Sequence, residues 1–144
     1  EFLRQQIRSV LDDLGADALK TGMLGGAEEI QCVCEEISRY RSIVSDLPVV
    51  VDPVMIAKGG ASLLAEEALL SLKTQLFPLA TVLTPNLPEA EKLTGMSLSS
   101  VDDMRRAAQI LREMSGAAVL VKGGHLSGNT LIDVLLDDGY RASY

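Results

Sequence analysis

Apolar positions recur at helical spacing from the first residues: Phe2, Leu3, Ile7, Val10, Leu11 and Leu14, with Gly15 as the stop. A short strand then fits Asp17–Lys20, and Thr21-Gly22-Met23-Leu24-Gly25-Gly26 reads as the loop after it. A second helix is expected over Ala27–Arg41, with Ile30, Val33, Cys34 and Ile37 as its apolar stripe. Pro48-Val49-Val50-Val51 is a β-branched run without alternation that ends at Asp52-Pro53. Such a run predicts a strand buried on both faces, as in a parallel sheet.

A glycine-containing loop, Ile56 to Ala61, precedes a leucine-rich helix around Leu64–Leu76. Ala80-Thr81-Val82-Leu83 predicts the next strand, which ends at Thr84-Pro85. A short helix follows and stops at Gly95. Ser99 or Ser100 caps a further helix whose inner face carries Val101, Met104, Ala108 and Leu111, and Gly116 ends it. Ala117–Val121 is a strand leading to Lys122-Gly123-Gly124-His125. Leu131–Leu136, the turn Asp137-Asp138-Gly139 and Tyr140–Tyr144 predict a β-hairpin. Strands alternating with helices imply right-handed crossovers and a mainly parallel sheet with helices on both faces. No internal boundary or fixed-period repeat interrupts residues 1–144, so the pattern is that of one domain.

Composition narrows the function more than the fold. The chain has 144 residues, 47% of them hydrophobic, and a net charge of −7. That balance argues against non-specific nucleic-acid binding, which needs a basic face. It leaves room for a local basic pocket that takes an anionic small molecule. No apolar stretch reaches the length of a membrane span. The amphipathic start, EFLRQQIRSV, is not a signal peptide, and no Met opens it, so the start of a longer protein is expected upstream. Cys32 and Cys34 are two apart in one helical pattern and point to different faces, so they cannot pair there. Together these features favour the cytoplasm.

In open α/β sheets, ligands bind beyond the carboxyl ends of the strands, and the polar residues of this chain fall there. One strand ends near Lys20-Thr21-Gly22-Met23, others at Asp52-Pro53, Thr84-Pro85-Asn86 and Lys122-Gly123-Gly124. Each of these has a plain reading beside a functional one. Asn86 is a favoured N-cap and Glu89, three residues on, completes a capping box, with Pro88 in the first turn. A capped helix start at this edge is also an anion-binding position. Lys122 with two glycines is either a turn or a phosphate cradle, in which Gly123 and Gly124 admit close approach and the lysine adds charge. Asp52 is either a loop cap or a carboxylate for metal or phosphate chemistry. Met23 beside Gly22 is either packing or a soft wall for a flat ligand. His125 reads as a loop residue. Neither a Walker A loop nor a dinucleotide glycine motif is present, and one histidine supports no zinc site or Ser-His-Asp arrangement.

The segments ALKTGMLG, VVVDPVMIAKGGA, LTPNLPEAEKLTG and VLVKGGHLSG, in this order, closely resemble the bacterial hydroxymethylpyrimidine and phosphomethylpyrimidine kinases of thiamine biosynthesis, members of the ribokinase-like superfamily. The resemblance runs over essentially all 144 residues. It implies a ribokinase-like (Rossmann-like) three-layer α/β sandwich with a mainly parallel sheet, incomplete at both ends. It implies transfer of the γ-phosphoryl group of ATP to 4-amino-5-hydroxymethyl-2-methylpyrimidine or its monophosphate. By motif, Lys122 and Asp52 are implied as catalytic residues. Asn86, Glu89, Lys122, Gly123 and Gly124 are implied at nucleotide phosphate. Glu89 and Asp52 are implied near Mg²⁺, Glu89 through water, and Gly22 and Met23 at the pyrimidine. ATP and Mg²⁺ are the implied cofactors, with a homodimer of the longer protein left open.

Relatives of this kind are longer at both ends. The resemblance puts a glycine-serine-rich substrate loop ahead of Glu1. It puts a Gly-Thr-Gly-Cys segment, which forms the anion hole and activates the substrate hydroxyl, after Tyr144. The 144 residues alone are therefore expected to have little or no kinase activity. Three alternatives stay open: a pyridoxal or pyridoxine kinase, a non-catalytic nucleotide- or pyrimidine-binding remnant, and one piece of a bifunctional thiamine-pathway protein.

Overall fold

A computed structural model of the chain describes residues 1–55, 65–124, 131–137 and 140–143. Helix α1 (Phe2–Asp13) leads to strand β1 (Leu19–Thr21), helix α2 (Ala27–Arg41) and strand β2 (Val49–Val51). Helix α3 (Glu66–Ser71) continues as a π-helical turn, Leu72–Leu76, and a short 3₁₀ turn, Phe77–Leu79, before β3 (Val82–Leu83). Helices α4 (Leu87–Thr94) and α5 (Val101–Ser115) precede β4 (Ala118–Val121), and β5 (Val134–Asp137) and β6 (Tyr140–Ser143) close the order. The expected loop at Ile56–Ala61, the start of the Leu64 helix, His125 and the tip of the hairpin turn lie outside the described residues.

The six strands of the described residues form one sheet in sequence order. β1 to β4 run parallel, and β5 and β6 add an antiparallel hairpin. This is the expected α/β fold, a mostly parallel sheet flanked by helices. Strands that follow one another across a sheet with right-handed crossovers carry their connecting helices on one face, so within the described residues the helices cover one face of the sheet rather than both as expected. The burial pattern agrees. Val49, Val51, Leu83, Val119, Val121, Val134 and Leu136 are buried in one core with Ile30 and Ile37 of α2, Leu76 and Phe77, and Met104 and Leu111 of α5. Burying each such side chain contributes about 1.5–3 kcal/mol. The alternate strand residues Val50, Val82, Ala118, Leu120 and Leu135 stay half-buried, so the β-branched run of β2 is covered fully on one face only.

Helix ends follow their residues closely. Gly15, Gly95 and Gly116 take left-handed φ of +75°, +74° and +74° just past α1, α4 and α5, a conformation glycine adopts without steric cost. Of the two candidate serines it is Ser100 that caps α5, its side chain accepting from Asp103 N–H. Two expectations shift. The first strand is Leu19–Thr21 rather than Asp17–Lys20, because Thr21 pairs with Val51 and its carbonyl accepts from Asp52 N–H at 3.1 Å. The Leu64–Leu76 helix is not uniform, since its second half widens into the π turn. There Lys73 Nζ reaches the Leu93 carbonyl at the end of α4 (3.0 Å).

The α1–α2 contact rests on a buried carboxylate. Glu36, 1% exposed, accepts from Arg4 Nη1 (2.7 Å), Arg8 Nη2 (2.9 Å) and Arg39 Nε (2.7 Å). Arg8 above all holds its carboxyl down. Burial pushes the other way, and Arg39 and Arg4 add to the lowering, to about 2. A lone buried carboxylate would be costly, and three guanidinium groups satisfy it. No helix of the described residues is long and apolar enough to cross a membrane.

Candidate functional site

Parallel strands bring their carboxyl ends to one edge, and four of them deliver polar residues there. Asp52 follows β2 directly and Lys122 follows β4 directly. The Thr84-Pro85-Asn86 stretch leaves β3 extended, as a residue before proline must, and reaches across to β4. Lys122 N–H donates to the Pro85 carbonyl (2.9 Å), and Asn86 and Lys122 form a parallel bridge beyond the strands proper. The backbone thus fixes where Lys122 stands before its side chain makes any contact.

Lys122 Nζ donates to Asp52 Oδ1 at 3.1 Å, and Lys20 Nζ donates to Asp52 Oδ2 at 3.1 Å. One carboxylate therefore carries a lysine on each oxygen. Partial burial pushes the Asp52 carboxyl up, but the hydrogen bonds from Lys122 and Lys20 outweigh it and hold it below its ordinary value. Lys20 is the participant that motif reasoning did not single out. Its signal was a cation at a strand end two residues before Gly22-Met23, at the same sheet edge.

The Asn86–Glu89 pair forms the capping box in full. Glu89 N–H donates to Asn86 Oδ1 and Asn86 N–H to Glu89 Oε2, both at 2.9 Å. Glu89 is 2% exposed. Burial pushes its carboxyl up, the Asn86 N–H offsets part of this, Lys122 draws it down and Asp52 pushes it up. Glu89, Asp52 and Lys122 are therefore one electrostatic group, not three separate side chains.

The two glycines after Lys122 differ. A Cβ on Gly123 would lie 1.8 Å from the Ile132 carbonyl oxygen, and Gly123 N–H already donates to Asp133 Oδ1 (2.8 Å). Packing against the segment before β5 explains glycine there. Among the described residues nothing lies within 4 Å of a Cβ position at Gly124, so of the pair it is the one not closed off by them beside Lys122. Gly22 is similarly open, and Met23 is exposed. They stand at the β1 end of the edge, and Gly22 borders a largely apolar cavity of about 440 Å³ between α1, β1 and α2.

Among the described residues no group of three or more His, Cys, Asp or Glu gathers as a metal cage. The donors at the edge, two carboxylates with their oxygens already in hydrogen bonds, fit a magnesium ion held through water and phosphate. Such an ion keeps much of its hydration and takes few protein ligands. Cys32 and Cys34 are both free.

The family model described as phosphomethylpyrimidine kinase matches residues 1–144. The hydroxymethylpyrimidine/phosphomethylpyrimidine kinase of Bacillus subtilis is 50% identical over 139 residues, which cover 96% of this chain and 50% of that protein. The crystal structure of a phosphomethylpyrimidine kinase from Clostridium difficile 630 superposes with a TM-score of 0.85 at 39% identity, covering 98% of this chain and 59% of that one. A Bacillus subtilis pyridoxal kinase solved as an ADP complex superposes with a TM-score of 0.85 at 40% identity, covering 98% and 52%. The chain spans about half the length of the relatives it matches.

Proposed function

The chain belongs to the phosphomethylpyrimidine kinase family, and on that premise we propose that it carries the nucleotide-phosphate side of a kinase site. The reaction is transfer of the γ-phosphoryl group of ATP to 4-amino-5-hydroxymethyl-2-methylpyrimidine, to its monophosphate, or to both in turn. The product is the pyrimidine diphosphate used for thiamine synthesis. The observation that carries the reading is the cluster of Lys122, Asp52 and Glu89 at the carboxyl edge of parallel strands, where such sheets bind ligands.

In this reading Lys122 turns from Asp52 to the nucleotide phosphates and offsets their charge. The open space at Gly124 lets the chain approach a phosphate oxygen. Asn86 and Glu89 hold the start of α4 in place and present oxygens to the hydrated magnesium that accompanies the nucleotide. A magnesium ion held there would supply charge neutralisation at the phosphate oxygens. The acceptor oxygen forms its bond to the γ-phosphorus as the bond to the bridging oxygen breaks, ADP leaves with the electron pair, and the proton of an alcohol acceptor passes to a base outside these 144 residues. Positioning and charge neutralisation are most of what such a transfer requires. Gly22 and Met23 line the acceptor at the β1 end of the edge. Free Cys32 and Cys34 suit a reducing compartment such as the cytoplasm.

A pyridoxal kinase reading has equal structural support, since the two solved relatives superpose equally well. The deciding experiment is ATP turnover by the native protein that contains this chain, with the pyrimidine alcohol, its monophosphate and pyridoxal in competition. Preference for the pyrimidines supports the proposal. Preference for pyridoxal replaces it with the second reading. ADP binding without turnover of any of the three leaves a nucleotide-binding remnant.

A further inference from the structure

Lys20 shares Asp52 with Lys122 at equal distance, one lysine on each carboxylate oxygen. Lys20 is the more exposed of the two, with 59% of its side chain accessible against 37% for Lys122, while Asp52 is 20% accessible. We propose that Lys20 is a positioning residue for phosphate binding, acting through Asp52 to keep Lys122 available. The proposal rests on the nucleotide-phosphate reading of Lys122 given above.

The physical argument is one of shared counter-charge. A carboxylate with two cations attracts each less strongly than it would a single one, because the cations repel each other and each uses one oxygen. Lys122 is therefore held in place without being neutralised outright. When a polyphosphate draws Lys122 away, Asp52 keeps Lys20 and does not face the incoming anion as a bare, partly buried charge. Without Lys20 both effects reverse together. Asp52 grips Lys122 alone, and it repels the phosphate once Lys122 has gone. The β1–β2 register fixes the arrangement, since Lys20 lies opposite Val50 while the Asp52 N–H is tied to the Thr21 carbonyl at 3.1 Å.

A double-mutant cycle on the native protein that contains this chain tests this with two readouts. One is the affinity for ADP by isothermal titration. The other, without nucleotide, is the rate of Lys122 acetylation by an acylating reagent, read by mass spectrometry. Lys20→Met should weaken ADP binding about five-fold, the range of a coupled and partly exposed ion pair, and should slow acetylation of Lys122. Lys20→Arg should restore both. In an Asp52→Asn background, Lys20→Met should change neither by more than about two-fold. The inference is overturned if Lys20→Met leaves both readouts unchanged. It is equally overturned if the effect persists without Asp52, since Lys20 would then act as a general positive charge. Absence of ADP binding by the unmodified chain would sink the nucleotide reading instead, and the acetylation arm would still decide whether Lys20 sets the state of Lys122.

Discussion

Lys122 and Asp52, 70 residues apart in sequence, meet at 3.1 Å across the carboxyl edge of the sheet. The contact joins the ends of two strands that are not neighbours, because β3 lies between β2 and β4. Lys122 has its side chain on that pair and its backbone on Pro85. Replacing Lys122 by Met keeps the backbone anchor and removes the charge. The expected result is an ADP affinity lower by tenfold or more, with thermal stability within about 1 kcal/mol of the parent. Titration calorimetry alongside a melting curve measures both. Unchanged ADP affinity would remove Lys122 from the site.

Glu89 completes the cap of α4, and a pair of substitutions separates that duty from the magnesium role proposed for it. Gln at the third helical position also completes a capping box, so Glu89→Gln should melt near the parent while losing the magnesium dependence of ADP binding. Glu89→Ala should lose that dependence and also about 1 kcal/mol of stability with the cap. If Glu89→Gln keeps a full magnesium response, Glu89 is a cap and nothing more.

Acid should loosen α1 from α2. The folded chain keeps Glu36 ionised down to about 2, whereas the unfolded chain takes up that proton near the ordinary value of 4.5. Between these limits the unfolded state binds more protons, so stability is lost as pH falls through the window. Glu36→Gln should flatten that part of the pH profile. At neutral pH it should cost about 3 kcal/mol, because three arginines lose a buried partner. Urea unfolding at pH 7, 4 and 3 compares the two chains.

The two glycines after β4 should behave in opposite ways. Gly123→Ala forces a Cβ against the Ile132 carbonyl and should cost about 3 kcal/mol or prevent folding. Gly124→Ala meets none of the described residues and should change stability by less than about 0.5 kcal/mol. If the backbone there approaches phosphate, Gly124→Ala should still weaken ADP binding. A melt and an ADP titration on each variant read these outcomes.

Much of the architecture was legible because local signals and tertiary demands agree. The α2 span, the Asn86–Glu89 cap and the glycine stops after α1, α4 and α5 all follow from residues within a few positions. What stayed hidden depends on partners distant in sequence. The π turn at Leu72–Leu76 has no composition of its own and shows only where Lys73 reaches the end of α4. Glu36 sits in a helix of ordinary charge pattern, and its burial depends on Arg4 and Arg8 of another helix, although their spacing of four already put both on one face. Lys20 was visible as a strand-end cation, but its role turns on Asp52, 32 residues away.

The sheet lists its strands in the order in which a ribosome would release them. Among the described residues each strand after β1 finds its partner immediately upstream, and none of them is threaded between two others. Such a sheet grows from one edge only, with each addition closing a single crossover. The parallel pairings Leu19 with Val49, Val50 with Val82 and Val82 with Ala118 each close a whole helical crossover, so every addition carries a real loop-closure cost. Synthesis from the N-terminus should then add β2, β3, β4 and the hairpin in turn. Lys122 reaches Asp52 only once β4 has docked, so this carboxyl edge is among the last parts of the described residues to assemble.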